Sequence, residues 1–258
     1  MKNSPLILLV NDDGIFSPGL RFLIKICKKI GRVCVVAPDK EQSGRSHAIT
    51  VDQKITFKKI ECSALYSEYS CSGTPVDCVK LSIDKILPRL PDLCVSGVNH
   101  GSNHSINSLY SGTLHGAMEG TIHGIPSLSF SHLSYSESID LSGFKNFIKM
   151  FTLEILNSGV ESGVTLNINI PDVAPTKIKG LKICKQGVGN WKEDFCKTRI
   201  VGDKQYYSVT GKFNQQKNDL ESDTWALENN FISIVPITLD LTSGKTIDSL
   251  KYLEKYDF

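Results

Sequence analysis

Asn11, Asp12, Asp13 and Gly14 follow directly on the apolar run Leu-Ile-Leu-Leu-Val at 6–10. Two carboxylates therefore stand side by side where a buried segment meets solvent. At ~4 Å and an effective dielectric of about 20 their repulsion is roughly 4 kcal/mol. Either one stays protonated or a cation sits between them. Neighbouring side chains alternate in direction along a strand, but at its end the chain leaves extended geometry and both can turn to one place. Asp, Ser and Asn oxygens suit a hard divalent ion such as Mg²⁺ or Mn²⁺. The structural alternative is that Asp12 caps the following helix and Asp13 is solvated.

Further polar, glycine-rich segments sit at comparable positions: APDKEQSGRSH (37–47), SGVNHGSN (96–103) and YSGT (110–113). YSGT precedes a helical stretch, so its backbone N–H groups and the helix dipole favour an anion, and Ser111 and Thr113 add hydroxyls. A plain N-cap also accounts for such residues.

The elements that must position these loops alternate in type. LILLV (6–10) and RVCVVAP (32–38) read as strands buried on both faces. GLRFLIKICKKIG, with apolar residues at 20, 23, 24 and 27, reads as a helix stopped at Gly31. DCVKLSIDKIL (77–87) has helical periodicity, LPDLCVSGVNHG (90–101) holds a third strand, TLHGAMEGTIHG (113–124) a helix, and IPSLSFS another strand. The repetition predicts an α/β fold with a mostly parallel sheet between two helix layers. Ligands then bind beyond the carboxyl ends of the strands. SHAITVDQKITFKKIE alternates apolar and polar residues and predicts antiparallel strands. FKNFIKMFTLEILNSG (144–159) predicts an amphipathic helix and VTLNINIP (164–171) a strand. Beyond about 180 the pattern is short strands (LKICKQG, KQYYSVTG, FISIVPITLDLT) and turns, with 210–224 polar and mobile. The expected division is a Rossmann-like core over 1–180 and a strand-rich extension of the same domain over 181–258.

The bulk properties exclude several classes. Of 258 residues 22% are charged, and 29 basic against 27 acidic residues leave a net charge of +2. No pull toward nucleic acid or an anionic membrane follows from that. No apolar run reaches the roughly 18–20 residues of a membrane span, and the N-terminal run is too short for a signal peptide. A cytoplasmic protein is expected. The eight cysteines show no C-x-x-C pair and no zinc-like spacing.

Taken in order, VNDDG, APDKEQSGRSHAIT, SGTPVDCV, SGVNHGSN, YSGT…AMEG, LNINIP and ESDTWALENNFISIVPITLDLT resemble the SurE family of survival-protein nucleotidases over nearly the whole chain. The resemblance implies a metal-dependent 5′-nucleotidase acting on nucleoside 5′- and 3′-monophosphates. It implies a three-layer α/β/α Rossmann-like core with a C-terminal arm that reaches across a homodimer or tetramer. The family's metal ligands fall on Asp12, Asp13, Ser43 and Asn99, for one ion per subunit, Mg²⁺ or Mn²⁺. The sequence departs from the family's pattern at Ser105, Ile106, Asn107 and Ser108, where an acidic pair is usual. It departs also at Leu114, His115 and Gly116, and at Thr238, where a His is frequent.

The chemistry expected of this set is phosphomonoester hydrolysis by water activated through the ion. Asp12, Asp13 and Asn99 form the catalytic group, with Asp13 orienting the water. Gly44, Ser111, Gly112 and Thr113 cradle the phosphate, and Asn103 braces the loop or touches the phosphate. Phe16 and Tyr110 are candidates for stacking on a base. Competing readings are an aspartyl-phosphate phosphatase, a receiver-like switch, and a nucleotide binder that has lost turnover. The first lacks an acid two residues after either aspartate, where Gly14 and Ile15 stand. His100, His104, His115, His123 and His132 crowd into one stretch. The 100–104 spacing lies in a loop and does not align the rings, so packing or solvation is the expectation for them.

Overall fold

The computed structural model describes residues 4–136, 139–215 and 219–256. Strand β1 (Leu6–Val10) is buried along its whole length, and its alternate side chains enter two different cores. Ile7 and Leu9 pack with helices α1 (Pro18–Cys27) and α4 (Lys145–Ser158), while Leu8 and Val10 face the layer of α2 (Pro75–Leu81) and α3 (Gly112–Ile122). Two-sided burial is why the strand reads as an unbroken apolar run.

The remaining strands are β2 (Arg32–Pro38), β3 (Phe57–Cys62), β4 (Tyr66–Cys71), β5 (Leu93–His100), β6 (Ser127–His132), β7 (Val164–Ile170), β8 (Gly180–Ile183), β9 (Gly189–Val201), β10 (Lys204–Gln215) and β11 (Phe231–Thr238). Nine form one sheet in the order β3-β4-β2-β1-β5-β6-β7-β11-β8. The six from β4 to β7 run parallel, with β3 antiparallel at one edge and β11 antiparallel to β7. This is the three-layer α/β/α arrangement with a mostly parallel sheet. Successive crossovers run one way from β1 to β2 and β4, and the other way from β5 to β6 and β7. The order therefore reverses between β1 and β5. Strands β8 and β11 complete the sheet, while β9 and β10 pair only with each other as a long hairpin.

Helix starts follow from local chemistry. Thr74 and Asp77 form a reciprocal capping box with Pro75 in the first turn of α2. Pro18 opens α1 after Ser17. The α1 start is pressed onto β5, since a Cβ on Gly19 would lie 1.9 Å from the Val98 carbonyl oxygen.

Three expectations are corrected and one strand was missed. Of the antiparallel strands expected in 46–61 only β3 forms. The hydroxyl of Thr74 and the carboxylate of Asp77 instead bind Ala48 O (2.7 Å) and Thr50 (3.1 and 2.6 Å), holding the segment as a loop over α2. The helix expected over 77–87 ends its α-helical part at Leu81. Ser82 Oγ bonds back to Cys78 O at 2.6 Å and the chain closes in a wider turn, Ser82–Ile86. The strand β9 was not legible, because its side chains are mostly solvent-exposed and carry no apolar alternation. Residues 210–215, expected to be mobile, belong to β10, and 223–224 begin helix α5 (Asp223–Glu228), whereas 216–218 lie outside the described residues.

Among the described residues no helix is long and apolar enough to cross a membrane, and all eight cysteines are free.

The contact at Gly19 yields a test. Gly19→Ala must push α1 off β5 and should cost about 1–3 kcal/mol, lowering the melting temperature by several degrees. Gly244→Ala, with nothing near its Cβ position, should melt like the wild type in the same thermal scan.

Candidate active site

The reversal of strand order between β1 and β5 opens a crevice at the strands' carboxyl ends, where α/β sheets hold ligands. A cavity of about 790 Å³ lies there. Its lining brings together Asp12 and Asp13 after β1, Ser43 and Gly44 after β2, Asn99 at the end of β5, Asn103 beyond it, and Ser111 before α3.

Asp12 is almost wholly buried. The Thr113 hydroxyl donates to its Oδ1, and Gln42 N donates to its backbone carbonyl at 2.8 Å. A Cβ on Gly112 would stand 2.8 Å from both Cβ and Oδ2 of Asp12, so only glycine lets the start of α3 come this close. Burial first, and then the charge of Asp13, push the Asp12 carboxyl up to about 7, against the Thr113 hydrogen bonds that draw it down. Asp13 is only partly screened. Its Oδ2 is buried and accepts no hydrogen bond within the chain, and His100 Nδ1 stands 3.5 Å away. The turn that carries both acids is fixed by Asn11, whose amide donates to Gly14 O (3.0 Å) and Ser17 Oγ (2.7 Å), with Gly14 at φ +101°.

The neutral groups are held as firmly. Asn99 spends both amide hydrogens on the carbonyls of His100 (3.1 Å) and Gly101 (2.9 Å), so its oxygen is what it can offer a ligand. Asn103 donates its backbone N–H to Asn169 Oδ1 (2.9 Å) and its side-chain amide to Ser131 Oγ (2.7 Å), and its carbonyl accepts from Asn167 Nδ2 (2.8 Å). Asn167 and Asn169 brace this loop, a contact that sequence reading missed. Two asparagines on alternate positions of the apolar strand LNINI was the available signal. Ser111 caps α3 by accepting Leu114 N at 2.9 Å. Ser43 lies on the exposed wall and donates its hydroxyl to Glu41 at 2.7 Å. Gly112 and Thr113 fall outside the cavity lining and stand behind Asp12.

The rim is aromatic: Phe16, Tyr110, Tyr135 and Trp191 line the mouth. Trp191, on β9, donates its indole N–H to Asn107 Oδ1 at 2.7 Å. Nearby, Ser105 N donates to the buried carboxylate of Asp223 (2.8 Å), and Ser105 Oγ to Gly187 O (2.8 Å). The segment 105–108 thus ties the site to the hairpin side of the fold. Thr238 is exposed at the end of β11 and bonds Asp240 O at 3.2 Å.

The histidines do not gather at one point. His104 packs edge-on to Phe213 and His132 against Phe144. His47 and His123 both reach Glu119, at 2.9 and 3.1 Å, as does Lys80 at 2.7 Å. Burial drives the Glu119 carboxyl up, but the His47 and Lys80 hydrogen bonds and charges outweigh it and hold it down at about 2.

Among the described residues no three His, Cys, Asp or Glu side chains are arranged to hold an ion. The cavity instead gathers two carboxylates with a hydroxyl and an amide oxygen. One of its buried carboxylate oxygens has no internal donor. Such an all-oxygen set with an uncompensated like-charge pair fits a hard divalent cation.

Comparison with known proteins agrees with this architecture. The family model described as survival protein SurE matches residues 7–193. The 5′-nucleotidase SurE of Flavobacterium psychrophilum is 48% identical over 96% of this chain and 97% of its own. That of Flavobacterium johnsoniae is 49% identical over 95% of each. The crystal structure of the SurE protein from Aquifex aeolicus superposes with a TM-score of 0.83 at 39% identity, over 97% of this chain and all of that one. The chain belongs to the survival protein SurE family.

Proposed function

We propose that the protein is a metal-dependent phosphomonoesterase of the nucleotidase class, hydrolysing nucleoside 5′- and 3′-monophosphates to nucleoside and phosphate. The observation that carries the reading is the adjacent pair of a buried Asp12 and a half-buried Asp13 at the floor of a polar cavity with an aromatic mouth. Family membership and relatives named 5′-nucleotidase support it.

Asp12, Asp13, Ser43 and Asn99 would hold one divalent ion, Mg²⁺ or Mn²⁺. Bound there, it supplies Lewis-acid polarisation of the phosphoryl group and favours deprotonation of water. The chain's residues do the rest. Asp13, with a carboxylate oxygen free of internal donors, orients the attacking water and takes its proton. Thr113 fixes the Asp12 carboxylate against the start of α3, so no reorganisation is needed as charge develops. Ser111 and Asn103 on one wall and Gly44 on the other receive the phosphate. Gly112 permits the close approach on which that wall depends. Phe16, Tyr110 and Trp191 offer flat apolar surface to a base. The protein works in the cytoplasm on small-molecule substrates, without nucleic acid or membrane as partner. The β9–β10 hairpin, which exposes Phe195, Ile200 and Tyr207, is the arm of a homodimer or tetramer.

Two measurements test this. Phosphate release from AMP should vanish in chelator and return with Mg²⁺ or Mn²⁺. Asp12→Asn should lower kcat by roughly three orders of magnitude or more. Near-wild-type turnover of the variant would end the mechanism.

The same substitution should stabilise the metal-free protein, because a folded-state carboxyl raised from 3.8 to about 7 favours the neutral form that asparagine mimics. The gain should be absent below pH 4, grow through the window up to pH 7, and reach a few kcal/mol above it. Urea unfolding in chelator at pH 4 and pH 8 reads it out. An equal stability difference at both pH values would contradict the assignment.

A further inference from the structure

Glu119 is a carboxylate in a position where a negative charge has no evident reason to be. It lies in the last turn of α3, the end of the helix dipole that disfavours an anion, and its side chain is 1% exposed. Around it the helix is built for close packing. A Cβ on Gly120 would meet Ser127 Oγ at 2.6 Å and Cys94 Cβ at 2.8 Å. It is not among the residues that line the active cavity. Its charge is met by three partners from three segments: the Lys80 ammonium of α2, and the rings of His123 after α3 and of His47. Lys80 and His123 share Oε1, and His47 takes Oε2.

His47 links this carboxylate to the active cavity. It sits four residues beyond Ser43 in the segment that carries one cavity wall. On its other side the His47 ring meets His115 edge-on, with centroids 5.1 Å apart. His115 Nδ1 in turn donates to the carbonyl of Ser111 at 2.7 Å. A continuous chain of contacts therefore runs from Glu119 through His47 and His115 to Ser111 on the opposite wall. Ser46, next to His47, reinforces the same closure through Leu109 O (2.5 Å) and Tyr110 O (3.2 Å).

We infer that Glu119 is a positioning residue, acting through His47 to hold the Ser43–Gly44 wall at a fixed separation from the Ser111 wall, so that ion and phosphate meet a preset gap. The inference rests on the function proposed above. Ser43 itself is exposed and its hydroxyl donates to its near neighbour Glu41, so its placement depends on what ties its segment down. Those ties are Gln42 N, which donates to Asp12 O, on one side, and Ser46 and His47 on the other. Residues that hydrogen-bond a metal ligand directly commonly change metal affinity by about ten- to a hundredfold, and a residue acting through the ligand's backbone segment belongs at the low end of that scale.

The test uses full-length His47→Ala and His47→Gln beside Glu119→Gln. His47 is the better handle, since it is about one-third exposed and its removal buries nothing unpaired except a carboxylate that Lys80 and His123 still meet. Three readouts are taken: Mn²⁺ affinity by calorimetry without substrate, the rate of tryptic cleavage after Lys40 and Arg45, and kcat and KM for AMP. His47→Ala should weaken Mn²⁺ binding about tenfold, speed both cuts, and raise KM with kcat changed less than about threefold. His47→Gln, whose amide can still donate to Glu119, should recover most of the affinity. A folded His47→Ala with wild-type Mn²⁺ affinity and cleavage rate would overturn the inference, as would a Gln variant no better than Ala. Should the wild-type protein fail to hydrolyse AMP, the function would fall, while calorimetry and proteolysis would still judge the clasp.

Discussion

The mutual repulsion of Asp12, buried, and Asp13, half-buried beside it at the end of β1, governs the construction around them. A like-charged pair in low dielectric is tolerated only where donors and dipoles offset it. The structure supplies these from one direction, the start of α3, where the Thr113 hydroxyl bonds Asp12 and the free N–H groups of the first turn present partial positive charge. That approach requires glycine at 112. The compensation at Asp13 is weaker: its Oδ2 accepts no hydrogen bond, and the nearest ring nitrogen, His100 Nδ1, stands 3.5 Å away. The site is thus left with a deficit of positive charge that something from outside must fill.

Rigidity around that deficit comes from buried amides rather than from apolar packing. Asn11, Asn99, Asn103, Asn167 and Asn169 each tie one loop backbone to another or to a strand. An amide carries donors and an acceptor, so it can brace a polar loop without adding charge beside two carboxylates. Three of these asparagines sit on β5 and β7, whose backbones are already fixed by the sheet, and a fourth, Asn103, is held by β6 and β7 through Ser131, Asn167 and Asn169. The cavity walls are loops, but every wall is bonded to a regular element within a few residues.

The sheet and its site loops were legible in the sequence because their signals are local. A five-residue apolar run such as LILLV, too short for a helix and flanked by turn residues, reads as a two-face-buried strand, and the polar residues after it then lie at the sheet's edge. The same logic brought Asp12, Asp13, Ser43 and Asn99 to one cavity. What was not legible depends on partners far along the chain. Residues 46–56 alternate like strands, yet Ala48 and Thr50 are claimed by the cap of α2. The hairpin strand β9 buries too little to show a pattern. Thr113 reads as a phosphate donor beside Ser111, but its hydroxyl is directed to Asp12, a contact spanning 101 positions that no local rule anticipates.

Floor and rim answer to different physics, and this bears on the residues at 105–108. The floor is set by strand ends and by α3, and its groups bond one another. The rim is set by the hairpin side: Trp191 bonds Asn107, and Asp223 gathers the backbones of Ser105 and Gly187. Neither Asn107 nor Ser105 bonds Asp12 or Asp13. Neutral residues at 105–108 therefore leave the carboxylate pair in its own frame and change what surrounds the mouth. An acid at 107 would place a further negative charge at the cavity lining, while asparagine there offers the indole N–H an uncharged acceptor. The departure from the usual acidic pair is thus a change of rim electrostatics and of attachment to the hairpin, made where it leaves the floor intact.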